Sequence, residues 1–348
     1  MRTLVISDLH LGNRSGCDVL RHPLVLERLL EAVDGVDRLV LLGDTVELMH
    51  RRAERSMALA EPVMRAIGRR LGADREVIVV PGNHDAPLTL RWARAEGSRL
   101  GPSSDVPAAA SPFLEQLLSW LAPARTRVNY PGVWLGDHIW ATHGHYLDRH
   151  LIPDSAVGIR RPRLRREPSA AVLPMDYERR RRASRGSLPE QLMSRPLGTF
   201  LERLAHVLRA TNTPSLSRLL LDGGLAQATA TLVDTQMRFA GIPAMARVVR
   251  RLGVDAEVVL FGHVHRRGPI GRERWPADNG TRFINTGAWL YEPVLVNRAT
   301  PPHGYWPGGA VLLEPGREPR SLGLLDDLRA ADLRPRSVTS AAGPASGR

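Results

Sequence analysis

An apolar run at residues 77–80 is followed at once by a turn of five residues, which are Pro81, Gly82, Asn83, His84 and Asp85. A valine- and isoleucine-rich run that ends at Pro-Gly is typical of a buried strand in a layered α/β domain. Ligand sites in open α/β sheets gather at the carboxyl ends of the strands. We therefore expect an amide oxygen, an imidazole and a carboxylate to be presented at such an end.

Four other predicted strands end in Asp or His in the same way. The side chains at these ends are, in chain order, Asp8 and His10, Asp44, His143, and His263 and His265. Residues two apart in an extended chain face the same side, so each Asp-x-His or His-x-His pair can converge on one ion. Together with Asn83, these residues make seven candidate metal ligands.

The chemistry of these ligands predicts the kind of metal site. Imidazole, carboxylate and amide oxygen suit borderline divalent ions, so we expect Mn²⁺, with Fe²⁺, Zn²⁺, Co²⁺ or Mg²⁺ as alternatives. Seven ligands are too many for one tetrahedral ion. They are a natural number for two ions that share a bridging carboxylate, about 3.5 to 4 Å apart.

The elements around the motifs predict an α/β fold. Apolar residues with helical spacing cover 23–33 and 52–71, and these segments alternate with strands that begin near residue 3 and at 38–42 and 76–80. Such alternation favours a parallel sheet with helical crossovers. Residues 97–112 are predicted to be a loop. Further strands are predicted at 133–135, 138–142, 257–261, 283–289, 293–296 and 310–313.

Composition limits the partners and the compartment. The chain has 348 residues and a net charge of +12, and its 48 basic residues are all arginine. A positive field attracts phosphate-bearing substrates, nucleic acids or anionic membrane surfaces. Cys17 is the single cysteine, which excludes an internal disulfide and favours a reducing compartment. With no long apolar run and no room for a signal peptide before the first strand, we expect a soluble cytoplasmic protein.

The region between His143 and His263 differs from the rest. Residues 160–185 hold ten arginines against three acids, and leucines at helical spacing follow at 197–208. These helices are expected to pack on each other and on the core, and they could also form a cap whose arginines face an anionic substrate. The predicted organisation is a catalytic domain at 1–150 and 253–330, an arginine-rich loop and helical cap at 151–252, and a disordered tail at 331–348.

The chain resembles the calcineurin-like metallophosphoesterase superfamily in five motifs that occur in the family's order. They are Asp8-Leu9-His10, Gly43-Asp44, Gly82-Asn83-His84-Asp85, His143 and Gly262-His263-Val264-His265. The resemblance implies a four-layer α-β-β-α sandwich with a dinuclear metal centre. It also implies that one ion is held by Asp8, His10, Asp44 and His265. The other ion would be held by Asn83, His143, His263 and the bridging Asp44.

The implied reaction is phosphoester or pyrophosphate hydrolysis, because paired divalent ions polarise a phosphoryl oxygen and activate a water as hydroxide. His84 is expected to protonate the leaving group or to stabilise the equatorial oxygens. Asp85 is expected to orient His84 through a ring N–H. Three residues that flank the ligands are candidate substrate contacts: His145, Arg149 and Arg266.

A nearer resemblance is to the UDP-2,3-diacylglucosamine pyrophosphatase group, which also inserts a helical lid before the last histidine pair. It is carried by Gly43-Asp44-x-x-Glu47, His143-Gly144-His145, Gly262-His263-Val264-His265-Arg266 and Asn285-Thr286-Gly287-Ala288-Trp289. The group has arginine after the ligand asparagine, where this chain has His84. The shared motifs, rather than this departure, imply a UDP-sugar-lipid or nucleotide pyrophosphate as the substrate.

Other functions remain open at this point. A nuclease or cyclic-nucleotide phosphodiesterase of the same fold would use the positive charge to bind its substrate. A phosphoprotein phosphatase is less favoured, because the short loops around the motifs do not indicate an exposed groove. The four arginines at 179–182 could touch an anionic membrane, although a solvated basic loop is the commoner arrangement. A non-catalytic protein-binding scaffold would be expected to lose metal ligands or the leaving-group imidazole. Here the seven ligand positions and His84 are all present.

Overall fold

A computed structural model of the chain describes residues 1–13, 15–49, 53–150, 172–183, 241–275, 280–296 and 299–334. Within these residues eleven strands form two sheets. The strands are β1 (Thr3–Ile6), β2 (Arg38–Leu41), β3 (Glu76–Val79), β4 (Ser104–Asp105), β5 (Arg125–Tyr130), β6 (Gly132–Trp134), β7 (Ile139–Thr142), β8 (Val258–Phe261), β9 (Arg282–Asn285), β10 (Gly309–Leu313) and β11 (Arg320–Gly323).

The larger sheet has seven strands in the order β11-β10-β1-β2-β3-β5-β4. Its centre, from β1 to β5, is parallel, and β10 joins β1 in the antiparallel direction. The smaller sheet has the order β6-β7-β8-β9, in which β7, β8 and β9 are parallel. The predicted parallel sheet with crossovers is confirmed.

Helices cover the outer face of each sheet. In chain order they are α1 (Pro23–Asp34), α2 (Ala53–Leu71), α3 (Leu90–Glu96), α4 (Pro112–Leu121), α5 (Pro174–Ala183), α6 (Ile242–Arg251), α7 (Pro293–Val296) and α8 (Ala330–Leu333). The first, second and fourth of these pack on the larger sheet, and α6 packs on the smaller one. The order of layers is therefore α-β-β-α, as predicted.

The alternation of side chains along β2 shows why the strands are apolar throughout. Leu39 and Leu41 point to the helices on the outer face, whereas Val40 points between the sheets. There Val40 belongs to the same core cluster as Ala141 of β7 and Leu260 of β8. Because both faces of the central strands are buried, they form continuous hydrophobic runs rather than an alternating pattern.

Several local expectations from the sequence are corrected. The predicted loop at 97–112 contains strand β4, and the strand predicted at 283–289 ends at Asn285. Residues 293–296 form helix α7 instead of a strand, because Pro293 begins a turn in which the carbonyl of Glu292 accepts the N–H groups of Leu295 and Val296. The predicted tail does not begin at residue 331, because α8 runs to Leu333 and buries that side chain completely. The rest of the predicted tail, 335–348, lies outside the described residues.

Much of the predicted insertion also lies outside the described residues, including 151–171 and 184–240 with the leucine-rich pattern at 197–208. The side chains of the arginines at 179–182 are likewise outside them, so their predicted membrane or substrate contacts stay predictions. Met245, Val248 and Val249, which are apolar residues at helical spacing near the end of the insertion, lie on α6 and are buried against the smaller sheet. None of the helices among the described residues is long and apolar enough to cross a membrane.

Candidate metal centre

The seven candidate ligands lie at the carboxyl ends of five neighbouring strands. The larger sheet contributes Asp8 and His10 after β1, Asp44 after β2 and Asn83 after β3. The smaller sheet contributes His143 after β7, and His263 and His265 after β8. Since the two sheets pack face to face with these ends at one edge, residues far apart in the sequence meet there.

The backbone is strained at the ligand positions. Five non-glycine residues among those described have a positive φ, and all five are candidate ligands: Asp8 (54°), His10 (45°), Asp44 (51°), His263 (72°) and His265 (56°). Residues other than glycine rarely adopt this left-handed backbone conformation. Where they do, the strain is often found at functional sites. The surrounding core therefore holds these residues in conformations that suit the site rather than the local chain.

Asp44 lies at the centre of the cluster. Its Oδ2 atom is 3.5 Å from His10 Nε2 and 3.2 Å from His143 Nε2. On the first side, His265 Nε2 lies 3.2 Å from His10 Nε2 and 3.4 Å from Asp8 Oδ1. The three residues Asp8, His10 and His265 each offer a ligand atom within 4.8 Å of the others.

The second side of Asp44 has its own ligand atoms. His143 Nε2 lies 3.0 Å from Asn83 Oδ1. Asp44, His143 and His263 also offer ligand atoms within 4.8 Å of one another. Asp44 also offers a ligand atom within 4.8 Å of atoms on His10 and His84, so one carboxylate is shared by two groups of possible metal-binding atoms.

The imidazoles of the cluster are oriented from behind by acceptors. In each ring one nitrogen faces a carboxylate or a carbonyl: His10 Nδ1 to Glu47 Oε2 (3.2 Å), His143 Nδ1 to Leu42 O (3.1 Å), His263 Nε2 to Asp148 Oδ1 (2.9 Å) and His265 Nδ1 to Glu292 Oε1 (2.8 Å). Histidines that bind metal almost always have such a partner on the second nitrogen, which sets the tautomer and raises the basicity of the ligand. The residues present therefore fit divalent metal ions.

The sequence analysis did not assign the three backing carboxylates Glu47, Asp148 and Glu292. Glu47 stands in a quoted motif, three residues after Asp44, and that spacing was the available signal. Asp148 and Glu292 follow no comparable pattern, and only the packing of the loops brings them behind the histidines.

The buried charges of the cluster balance one another. Burial alone would raise the pKa of Asp44, but the charges of His143 and His84 outweigh it and lower that pKa well below the usual range. Burial alone would lower the pKa of His143, but the neighbouring Asp44 raises it to about 9. In the same way, Asp8 and Glu292 outweigh burial and raise the pKa of His265. Protons therefore occupy imidazoles that a cation would deprotonate on binding.

His84 lies beside the ligands, and its side chain is more exposed to solvent than those of Asp44 and His143. Its side chain is 23% exposed, whereas those of Asp44 and His143 are 1% and 0% exposed. Its Nδ1 atom lies 2.8 Å from Glu47 Oε2, and its backbone N–H donates to Asp44 Oδ1 at 2.8 Å. This arrangement leaves the His84 ring partly exposed at the edge of the ligand cluster.

The structure corrects the expected pairing of Asp85 with His84. The Asp85 carboxylate instead accepts the backbone N–H groups of Thr45 and Gly82. Burial, with the negative charge of Asp44, raises the pKa of Asp85 to about 6. Asp85 therefore joins the backbones of the two loops that carry Asp44 and Asn83, and Glu47 takes the position behind His84.

The three predicted substrate contacts have different surroundings. His145 is buried, with Nε2 3.7 Å from Glu178 Oε1, and Arg149 donates to the carbonyl of Tyr177 at 3.2 Å. Arg266 is only 3% exposed and forms an ion pair with Glu273 at 2.6 Å. The structure corrects the expectation for Arg266, because a buried and paired guanidinium is not presented to a substrate.

Gly43 allows the Asp44 loop to approach His143, which leads to a prediction. Gly43 has φ +85°, and a Cβ atom there would lie 2.3 Å from His143 Nδ1. Gly72 has φ +68°, but a Cβ atom there would meet no atom within 4 Å in the described part of the chain. Alanine at either position is expected to cost about 1 kcal/mol through backbone strain. Gly43→Ala is expected to cost about 1–3 kcal/mol more, because His143 must move.

Urea denaturation of the two glycine variants measures this difference, and metal binding should weaken only in Gly43→Ala. Equal loss of stability in Gly43→Ala and Gly72→Ala would contradict the proposed close approach.

Comparison with known proteins agrees with the geometry. The family model described as calcineurin-like phosphoesterase matches residues 1–267, which include every candidate ligand. The chain therefore belongs to the calcineurin-like phosphoesterase family, and it is a hydrolase that acts on phosphoester bonds. The histidine and aspartate clusters support metal dependence of that activity.

Two other comparisons add little. The comparison with curated proteins found no match. Among solved structures, a cold-active protein-tyrosine phosphatase of a psychrophile Shewanella sp. is 14% identical, covering 92% of this chain and 80% of that chain with a TM-score of 0.32. A TM-score of this size carries no argument about fold or function.

Proposed function

We propose that the chain is a dinuclear metallophosphohydrolase that cleaves a phosphoester or pyrophosphate bond, with Mn²⁺ as the working metal. The position of Asp44 carries this proposal. A single buried carboxylate oxygen has an imidazole nitrogen within 3.5 Å on each side, and each imidazole belongs to a separate group of ligand atoms. Such a shared carboxylate is the usual bridge of a two-metal hydrolase.

The proposed division of the ligands between two ions follows the family resemblance, and short distances within each group support it. The first ion would be held by Asp8, His10, Asp44 and His265, and the second by Asp44, Asn83, His143 and His263. When bound, the pair supplies Lewis-acid activation of water and of the phosphoryl group. The protein's part is to fix the ligand atoms through the backing acceptors and the strained loops.

His84 is the proposed proton donor to the leaving oxygen. Because Nδ1 faces Glu47, the proton for the leaving oxygen would come from Nε2. Glu47 also lies 3.2 Å from His10 Nδ1. One carboxylate therefore orients both a metal ligand and the proposed acid, which couples the position of His84 to that of the first ion.

The substrate we propose is a UDP-sugar-lipid or nucleotide pyrophosphate. The quoted motifs around Glu47, His145 and Trp289 support this choice, and the departure from the group's pattern is His84 in place of arginine. The net charge of +12 favours a second candidate, a nuclease or cyclic-nucleotide phosphodiesterase. Binding to nucleic acid through that charge would fall steeply with salt.

A substrate panel with and without metal tests the proposal. Chelation followed by gel filtration is expected to abolish turnover, and Mn²⁺ is expected to restore it at two ions per chain. The panel contains phosphomonoesters, phosphodiesters, nucleotide pyrophosphates and UDP-sugar-lipids, and the last two should give the highest kcat/KM. Preference for DNA, RNA or cyclic nucleotides would favour the second candidate, and turnover that survives chelation would contradict both.

A further inference from the structure

Helix α5 contributes no candidate ligand, yet it is tied to the elements that carry several of them. It buries Tyr177 and Glu178, which are 5% and 1% exposed. Glutamate is almost never buried to this extent unless it is paired. The partners of these two side chains therefore show what α5 holds together.

Glu178 is bonded to both sheets of the sandwich. Its Oε1 atom accepts the hydroxyl groups of Tyr130 and Tyr146, the latter at 3.0 Å. Tyr130 is the last residue of β5 in the larger sheet. Tyr146 lies in the single-turn helix His145–Arg149 that follows β7 of the smaller sheet. A single buried carboxylate thus connects the two sheets at the edge where the ligands lie.

Tyr177 holds the same turn from a second direction. Its ring stacks on Tyr146 with centroids 4.6 Å apart and an angle of 6° between the planes. Its hydroxyl meets His150 Nε2 at 2.9 Å. The turn His145–Arg149 also contains Asp148, the acceptor behind His263. One side of the turn therefore contacts α5, and the other side contacts a metal ligand.

The second ion is the one whose ligands come equally from the two sheets. Asp44 and Asn83 belong to the larger sheet, whereas His143 and His263 belong to the smaller one. In the first ion's set, His265 alone comes from the smaller sheet. The 3.0 Å approach of Asn83 Oδ1 to His143 Nε2 therefore depends on how closely the sheets are held at this edge. Helix α5 also packs against α3, which follows the Asn83 loop.

We propose that α5 clamps the two sheets together beside the second ion, and that Glu178 is a positioning residue for that ion. The inference rests on the proposed two-ion site. Without the clamp, the His143 and Asn83 loops would separate. This would lower the affinity for the second ion and leave binding of the first ion unchanged.

Metal titration of three variants tests the clamp. Glu178→Ala is expected to weaken the second ion about tenfold, which is the effect typical of outer-shell partners, with the first ion unchanged. Glu178→Gln keeps an oxygen that can accept from the tyrosines and should restore most of the affinity. Glu76→Gln is the control, because Glu76 pairs with Arg38 at the opposite end of β3 and should leave both ions unchanged.

Hydrogen exchange of the metal-free protein provides a readout that does not depend on the ions. Glu178→Ala is expected to speed exchange about tenfold in residues 81–90 and 143–150, and to leave β1 and β2 unchanged. If Glu178→Ala does not fold, Tyr146→Phe removes one bond of the clamp and should give the same pattern with a smaller size. Unchanged exchange in both segments would overturn the clamp.

The two proposals can fail separately. Wild-type protein that binds fewer than two ions would contradict the proposed metal centre, and the exchange experiment would still decide the clamp. If wild-type protein binds two ions and Glu178→Ala weakens both equally or neither, the metal centre stands and the positioning role of Glu178 is overturned.

Discussion

Replacing Asp44 by asparagine is expected to reduce turnover on the order of a thousandfold or more and to release metal. The Asp44 carboxylate is buried, and Oδ2 lies 3.5 Å from His10 Nε2 and 3.2 Å from His143 Nε2. Asparagine keeps the size of the side chain but removes the negative charge that faces both proposed ion sites. Elemental analysis of the purified variant, together with turnover on the best substrate of the panel, measures both effects.

Asp18→Asn is the matched control for the Asp44 variant. Asp18 is also a buried carboxylate, at 1% exposure, but it accepts the N–H of Gly12 and pairs with Arg21. Its replacement should lower the free energy of unfolding while the protein keeps two ions. An Asp44→Asn protein that still holds two ions per chain would contradict the bridging assignment.

Replacing His84 by alanine is expected to leave metal bound and to reduce turnover on the order of a hundredfold. The loss should depend on the leaving group, because His84 is proposed to protonate the departing oxygen. A phenyl phosphodiester, whose leaving group is basic, should lose the full amount, and a 4-nitrophenyl phosphodiester should lose much less. Equal losses on the two esters would remove His84 from proton transfer.

Glu47→Gln should show the same dependence on the leaving group, because the His84 ring loses its charged acceptor. It should also weaken the first ion, since Glu47 lies behind His10 as well. Glu292→Gln provides the comparison, because Glu292 lies behind His265 alone among the histidines of the site. Glu292→Gln should weaken metal binding and reduce the turnover of both esters by the same factor. A leaving-group effect in Glu292→Gln would show that metal loss, rather than the position of His84, causes it.

The candidate ligands could be predicted from the sequence because each one lies within about four residues of the end of a strand. The apolar runs before Asp8, Asp44 and Asn83 identify the strands, and the carboxyl ends of parallel strands meet at one edge of a sheet. The continuous apolar strands indicated a sheet covered on both faces, and the four-layer order came from the family resemblance. The order of the motifs led to the family resemblance. The match to the calcineurin-like phosphoesterase family over residues 1–267 confirmed that resemblance.

The contacts behind the ligands could not be predicted, because they depend on how loops pack across the sheets. Asp85 follows His84 directly, but the turn aims its carboxylate at backbone N–H groups, while Glu47 approaches from another strand end. Arg266 follows His265, yet its side chain points away to Glu273. Adjacency in the sequence says little about side-chain direction in a turn with strained φ angles. Glu178 has no motif, and only its burial identifies it.

The division of the ligands between two sheets has a consequence for how the protein matures. The first proposed ion would take ligands from position 8 to position 265 and the second from position 44 to position 263, so neither set is complete before β8 has been made. A nascent chain that still lacks β8 can therefore form most of the larger sheet, but it cannot bind the two proposed ions with a full set of ligands. Metal capture becomes a late event that stabilises the finished molecule by mass action. Scarcity of the cation would then lower the abundance of this protein in a cell as well as its turnover.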